Sequence, residues 1–254
     1  MALSDVGTTE QTPTVSEPIT TRTRIQPRRQ AQEPDRATAT RASASHLLVS
    51  SPECPSAVVD AYHTLFTNVE LAMGSASDRV LAVVAVDTAA NAALVAANLA
   101  LVGAESGDRT LLVDADMEAP ALDALFGANP GPGLVQLLRG EQDDLRDLAQ
   151  PTTLPTLGVI AAGGAAAGTR HHRLDRLGDL SAAVLRLKNA ADRVVIVAAP
   201  VLSAPDAQRL AAYVDGMLLV ITPGRTSREN AARARALLER AQAPLIGVAI
   251  VPKA

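Results

Sequence analysis

The sequence predicts a doubly wound α/β domain with a mainly parallel sheet, and three observations within residues 79–120 predict it. An apolar run over 80–86 ends at Asp87; residues 92–105 read as a helix that is apolar on most of its faces; a second apolar run over 110–113 ends on Asp114 and Asp116. Strand, small-residue loop, helix and strand in that order form the opening unit of a parallel sheet, with Gly107 and Asp108 closing the helix. In such sheets ligands sit at the carboxyl ends of the strands, so the loop after Val86 and the acids after Val113 are expected to meet there.

The remaining elements follow from pattern and punctuation. Residues 1–45 are rich in Thr, Ser, Pro, Gln and Arg with almost no apolar periodicity, and are expected to form a disordered tail. Arg22, Arg24, Arg28 and Arg29 have no acid between them. They read either as a contact for an anionic lipid face or acidic partner, or as a stretch that keeps the tail solvated. Residues 46–254 are expected to form a single domain of ordinary size. Within it, 46–51 reads as a short edge strand or lead-in, and 58–73 as a helix. Short helical pieces, 120–126 and 133–138, flank the turn Asn129-Pro130-Gly131-Pro132-Gly133. Strands are expected over 157–161, 193–198, 216–221 and 245–251, and helical segments over 174–191, 206–213 and 227–242. No internal repeat is visible.

Composition excludes several classes. The 254 residues are 48% hydrophobic but only 2% aromatic, so the core is aliphatic and surfaces for stacking bases or sugars are scarce. A net charge of -4 argues against a nucleic-acid partner. Cys54 is the one cysteine and has no metal-ligand partner by spacing; His171 and His172, adjacent in a basic loop, point apart and lack a Cys or acid at ligand spacing, so no metal site is expected. No apolar stretch reaches the roughly 18 residues of a membrane helix, and the first residues lack a signal-peptide core, so a cytoplasmic protein is expected.

A phosphate-binding loop has the form G-x-x-x-x-G-K-[ST]: glycines let backbone N–H groups curl around phosphates, lysine neutralises them and a hydroxyl holds Mg²⁺. After Asp87 this chain reads Thr88, Ala89, Ala90, Asn91, Ala92, Ala93 and Leu94. It has no glycine, no lysine and no hydroxyl at the metal position. Lys188 and Lys253 are the only lysines in the chain. Asp87, Asp114 and Asp116 therefore gather at the carboxyl edge without an identified cation. At an effective dielectric of about 20, two unit charges about 5 Å apart repel by roughly 3 kcal/mol, which opposes a triphosphate.

The run Leu111-Leu112-Val113-Asp114-Ala115-Asp116-Met117-Glu118-Ala119-Pro120, with the helix before it, resembles the second acidic motif of bacterial capsule and exopolysaccharide tyrosine kinases. These are deviant P-loop ATPases, related to chromosome-partitioning and septum-site proteins, and the resemblance extends over about residues 52–252. It implies that Asp114 and Asp116 stand at the metal and catalytic-base carboxylates; the residues alone read as caps of the next helical turn or as acids sitting in solvent. The family's metal-organising strand, apolar residues then Asp-Thr-Pro-Pro, matches 193–200 with Val197 in place of the Asp, Ala198 and Ala199 in place of the Thr and first Pro, and Pro200 and Asp206 retained. Asp60, His63 and Phe66 stand at the family's Glu-x-x-Arg-x-x-Arg interface helix. An Arg–carboxylate fork cannot be made from His and Phe, and the same helix reads as one packing Tyr62, Leu65, Phe66 and Val69 on the core. Tyr62 and Tyr213 are isolated, unlike the tyrosine run that closes the kinases.

The expectation is a non-catalytic relative of these kinases with no cofactor, a scaffold or regulator in exopolysaccharide or capsule production. The resemblance implies as partners the cytoplasmic tail of a membrane polysaccharide co-polymerase, an active paralogous kinase, or further copies in an oligomer. Two alternatives are an ATPase or tyrosine kinase, using ATP and Mg²⁺ and completed by a lysine donated in trans, and a structural protein that self-assembles on the old nucleotide face.

Overall fold

A computed structural model of the chain describes residues 45–74, 79–88, 91–127, 131–142, 144–163, 174 and 178–251. All of the predicted tail except Ser45, and also Ala89, Ala90, His171 and His172, lie outside the described residues. The strands are β1 (Arg79–Ala85), β2 (Thr110–Ala115), β3 (Ala149–Pro151), β4 (Leu157–Ile160), β5 (Arg193–Ala198), β6 (Gly216–Ile221) and β7 (Leu245–Ile250). They form one sheet in the order β3-β4-β2-β5-β1-β6-β7, parallel except for the β3–β4 pair. The helices are α1 (Ser56–Met73), α2 (Ala92–Glu105), α3 (Leu122–Phe126), α4 (Leu134–Arg139), α5 (Leu145–Leu148), α6 (Leu180–Ala190), α7 (Asp206–Leu210) and α8 (Arg228–Arg240). The strand order reverses direction on either side of β1, as a doubly wound sheet requires. Among the described residues no helix is long and apolar enough to cross a membrane.

Both faces of the sheet are covered, which is why its strands read as continuous apolar runs. On one face Leu81, Val83, Val195, Val197, Leu218 and Val220 pack with α1, α2 and α3. On the other, Val80, Val84, Val113, Val194, Ile196 and Leu219 pack with α4, α6, α7 and α8. Helix α2 lies between the sheet and α1, so every residue from Ala92 to Ala104 is buried; its small side chains let it sit in the middle layer. The one polar residue among them, Asn98, is fully buried, and its amide accepts from Val49 N–H (2.8 Å) and donates to the Leu47 carbonyl (3.1 Å).

That pair of bonds decides between the two readings of 46–51 in favour of a lead-in. Residues 46–51 form no strand: Ser45–Leu47 is a 3-10 turn and the segment is pinned to α2 through Asn98. One correction concerns the helix expected over 174–191: Leu174 is helical, but Gly178 and Asp179 are not, and α6 begins at Leu180. Gly178 (φ 154°) lies so close to the Leu138 carbonyl that a Cβ there would approach it to 1.6 Å, and Asp179 then caps the helix through Ala182 N–H. Strand β3 and helix α5 are too short to leave a periodic signal and were not anticipated. Helix α7 stops at Leu210, short of the expected Tyr213.

The amino-terminal edge of the sheet carries an ionic network. Arg193, the first residue of β5, pairs with Glu70 of α1 and with Asp108 (2.8 Å), while Arg79 of β1 also pairs with Glu70 (2.8 Å). The Arg193 guanidinium lies 4.8 Å from the centre of the Phe66 ring. Gly103 of α2 leaves the room: a Cβ there would stand 3.0 Å from Arg193 Cδ and Nε and 3.2 Å from the Phe66 ring.

Candidate functional site

The loops that follow β1, β2, β5 and β6 gather at the carboxyl edge, where the fold would place a ligand. After β1, Val86 N–H donates to the Val220 carbonyl and fixes the loop between β1 and β6. Asp87 is half-buried and turns toward the start of α8, accepting from Thr226 Oγ1 (3.4 Å) and Asn230 Nδ2 (3.3 Å). Thr88 is exposed. Asn91 caps α2, its Oδ1 accepting from Leu94 N–H at 3.1 Å. This cap occupies one of the donors with which a phosphate loop would hold its anion.

Ala92, Ala93 and Leu94 fill the first turn of α2, where a lysine and a hydroxyl would stand in a phosphate-binding loop, and all three are buried. Leu94 is 4% exposed and Val197, on β5, is 3% exposed, and both belong to the same apolar cluster. The stretch 92–94, which would carry the lysine and the metal hydroxyl, and the position that would carry the second acid are thus parts of the core.

Asp114 lies within β2, paired in register with Val197, and is 1% exposed. Both of its oxygens are engaged by backbone: Oδ1 accepts from Asp116 N–H (3.1 Å), and Oδ2 from Ala121 N–H (2.8 Å) and Leu122 N–H (3.0 Å). Burial pushes this carboxyl up to about 6; the three N–H groups act the other way and are outweighed. Asp116 Oδ1 accepts from Glu118 N–H (3.2 Å) and Ala119 N–H (2.9 Å), closing the turn that leads into α3. Asp206 is buried at the start of α7.

Lys188 is on the wrong side of the sheet. It pairs with Asp215 at 2.9 Å, and Asp215 also accepts from Val80 N–H at 2.8 Å, which places both at the amino edge, opposite the loop after β1. Lys253 lies outside the described residues. The residues described at this edge do not fit a magnesium nucleotide: the phosphate-neutralising and metal-holding positions are buried aliphatic groups, and Asp114 spends its oxygens on backbone N–H groups.

The residues of the expected interface helix separate. Asp60 and His63 lie on the exposed face of α1, whereas Phe66 turns inward against the core and Arg193. Tyr62, Leu65 and Val69 pack on the core with it. Sequence reasoning did not find Thr226 and Asn230 as the partners of Asp87, since they lie about 140 residues away from it. It also passed over Asn98 and Arg193, for which a signal existed: a lone polar residue within an apolar helix, and an arginine at the head of an apolar strand.

No protein-family model matches the chain. Tyrosine-protein kinase YwqD of Bacillus subtilis is 27% identical over 186 residues, spanning 73% of this chain and 77% of YwqD. The succinoglycan biosynthesis transport protein ExoP of Rhizobium meliloti is 34% identical over 179 residues, 66% of this chain but only 22% of ExoP. Among solved structures, the BceF tyrosine kinase domain superposes with a TM-score of 0.68 at 28% identity, covering 85% of this chain and 86% of that domain. By sequence and by fold, the chain is similar to bacterial tyrosine kinases, and its fold is that of their kinase domains.

Proposed function

We propose that this chain is a non-catalytic member of its family, a scaffold or regulator in exopolysaccharide or capsule biosynthesis. The single observation that carries this reading is the burial of Leu94 and Val197 in one apolar cluster. Water-bridged Mg²⁺ and a triphosphate need oxygen ligands and cationic neutralisation, and burying charge among aliphatic groups without partners is costly. Asp114 and Asp116 act as backbone acceptors that shape the turn before α3. The family relation supports the setting: its members include chains named for succinoglycan transport and for tyrosine-kinase activity. The partners of such a scaffold are the cytoplasmic tail of a membrane polysaccharide co-polymerase, an active paralogous kinase, or both, which puts the protein at the inner face of the membrane.

Calorimetric titration of the full chain with ATP and Mg²⁺, alongside an Asp114→Ala, Asp116→Ala variant, tests the proposal. The expected result is no heat of binding for either protein. Micromolar binding that the double substitution abolishes would overturn it. Repeating the titration with an active kinase of the family present tests completion in trans: the scaffold reading predicts no additional nucleotide site and no added phosphoryl transfer.

A further inference from the structure

The two edges of the sheet are treated differently by the sequence. Edge strand β3 is three residues long and ends in Pro151, which has no N–H to offer, so this edge is blunted against strand addition. Edge strand β7, Leu-Ile-Gly-Val-Ala-Ile, is six residues long, carries no charge and no proline, and has no strand beyond it among the described residues. Its exposed side chains are apolar: Val248 is 50% exposed and Ile250 66%. Val251 N–H donates to the Ile221 carbonyl, so by the alternation of a strand the N–H groups of Val248 and Ile250 turn outward.

Charge is distributed unevenly around this edge. Residues 45–221 contain eleven arginines and lysines against twenty acids, whereas residues 222–254 contain six against two. Arg225, Arg228, Arg233, Arg235 and Arg240 are all exposed. Ile250 is paired with Ile221, and Arg225 follows four residues later in a turn closed by Arg225 and Thr226 N–H groups donating to the Thr222 carbonyl. Arg240 stands at the opposite end of α8, five residues before β7 begins. Arginines therefore bracket the open strand at both ends.

From this arrangement we infer that β7 receives an extended, acidic polypeptide segment of a partner protein, which adds as an eighth strand and alternates apolar residues with Asp or Glu. Strand addition supplies main-chain hydrogen bonds to the outward N–H groups, apolar side chains cover Val248 and Ile250, and the carboxylates meet the arginines. A second copy of this chain suits the edge poorly, because two-fold pairing of β7 with itself would bring two arginine-rich α8 helices together. The inference does not depend on whether the nucleotide site is inactive, since β7 contributes none of the carboxylates at that site.

The test uses the full chain and a fluorescent octapeptide alternating Val and Glu, with a Val/Lys octapeptide as the control. Anisotropy should report binding of the acidic peptide only, and hydrogen exchange should slow at the Val248 and Ile250 amides in its presence. Arg225→Glu with Arg228→Glu should weaken binding about tenfold or more, as should Val248→Asp, which places a like charge at a surface position and leaves the core untouched. Unchanged exchange at those two amides at millimolar peptide, or equal binding of the lysine peptide, would overturn the inference. So would a concentration-dependent dimer that Val248→Asp dissociates, which assigns the edge to a second copy. Binding to anionic phosphatidylglycerol vesicles that Arg225→Glu removes, without any peptide protection, would overturn it in favour of a lipid surface.

Discussion

Replacing Arg193 by Met tests how the amino edge holds α1 to the sheet. The substitution keeps most of the aliphatic stem beside Gly103 and Phe66 but removes the guanidinium that pairs with Glu70 and Asp108. Breaking a buried pair by removing one partner typically costs about 3–5 kcal/mol, because the remaining charge is stranded. Here both stranded groups have relief: Arg79 still pairs with Glu70, and the Asp108 side chain is 40% exposed and can hydrate. The lost ring contact is worth about 0.5–2 kcal/mol at a partly desolvated site. Together these put the loss at about 2–3 kcal/mol, with a fall in Tm of roughly 5–10 °C for a domain of this size. Arg193→Lys should recover less than half of it, since an ammonium cannot bridge both carboxylates while stacking on Phe66. Urea unfolding followed by far-UV circular dichroism measures both variants. Stability of Arg193→Met within about 0.5 kcal/mol of the parent, the usual range for inconsequential surface changes, would refute the assignment.

Gly103→Ala should cost about 1–3 kcal/mol by overpacking against Arg193 and Phe66, and should cost little in an Arg193→Ala background where that space is vacant; a double-mutant cycle in urea reads the coupling. Asn98→Leu should release residues 45–50 from α2, seen as faster proteolysis near Leu47 together with a stability loss of about 1–3 kcal/mol, since Val49 N–H and the Leu47 carbonyl lose their partner. Asp114, raised to about 6 by burial, favours the folded state in its protonated form. Its contribution is fully present below the unfolded value near pH 4 and is lost as pH rises through about 6, an effect of about 3 kcal/mol at roughly 1.4 kcal/mol per pKa unit. The stability of the parent relative to Asp114→Asn should therefore decline between pH 4.5 and 7.5, and a difference that stays flat with pH would contradict the burial argument.

Much of the fold was legible because its physics is local. Strands β1, β5 and β6 are covered on both faces, so they appear as unbroken aliphatic runs, and α2 announces itself by alanine at nearly every turn. What escaped were pieces decided by distant partners. The lead-in at 45–50 takes its shape from Asn98, and the late start of α6 from the Leu138 carbonyl beneath Gly178. At the carboxyl edge, the absence of lysine and of the second acid could be read directly in the sequence. That Leu94 and Val197 lie in one apolar cluster could not, because it depends on which face of β5 meets α2. Asp87 is the opposite case: its role depends on Thr226 and Asn230, which no spacing rule links to it.

The hydrogen bonds of Asp114 and Asp116 bear on how such chains are recognised and how they drift. A carboxylate that holds five backbone N–H groups between two residues remains under structural selection after any catalytic use has ended. An Asp-x-Asp pair after the second strand is therefore a poor diagnostic of phosphoryl transfer in this family. If the scaffold reading holds, a survey that scored activity by that pair would count this chain as a working enzyme. The informative positions are those with no role in the turn, 92 to 94 and 197, where lysine, hydroxyl or acid would have to displace packed aliphatic side chains.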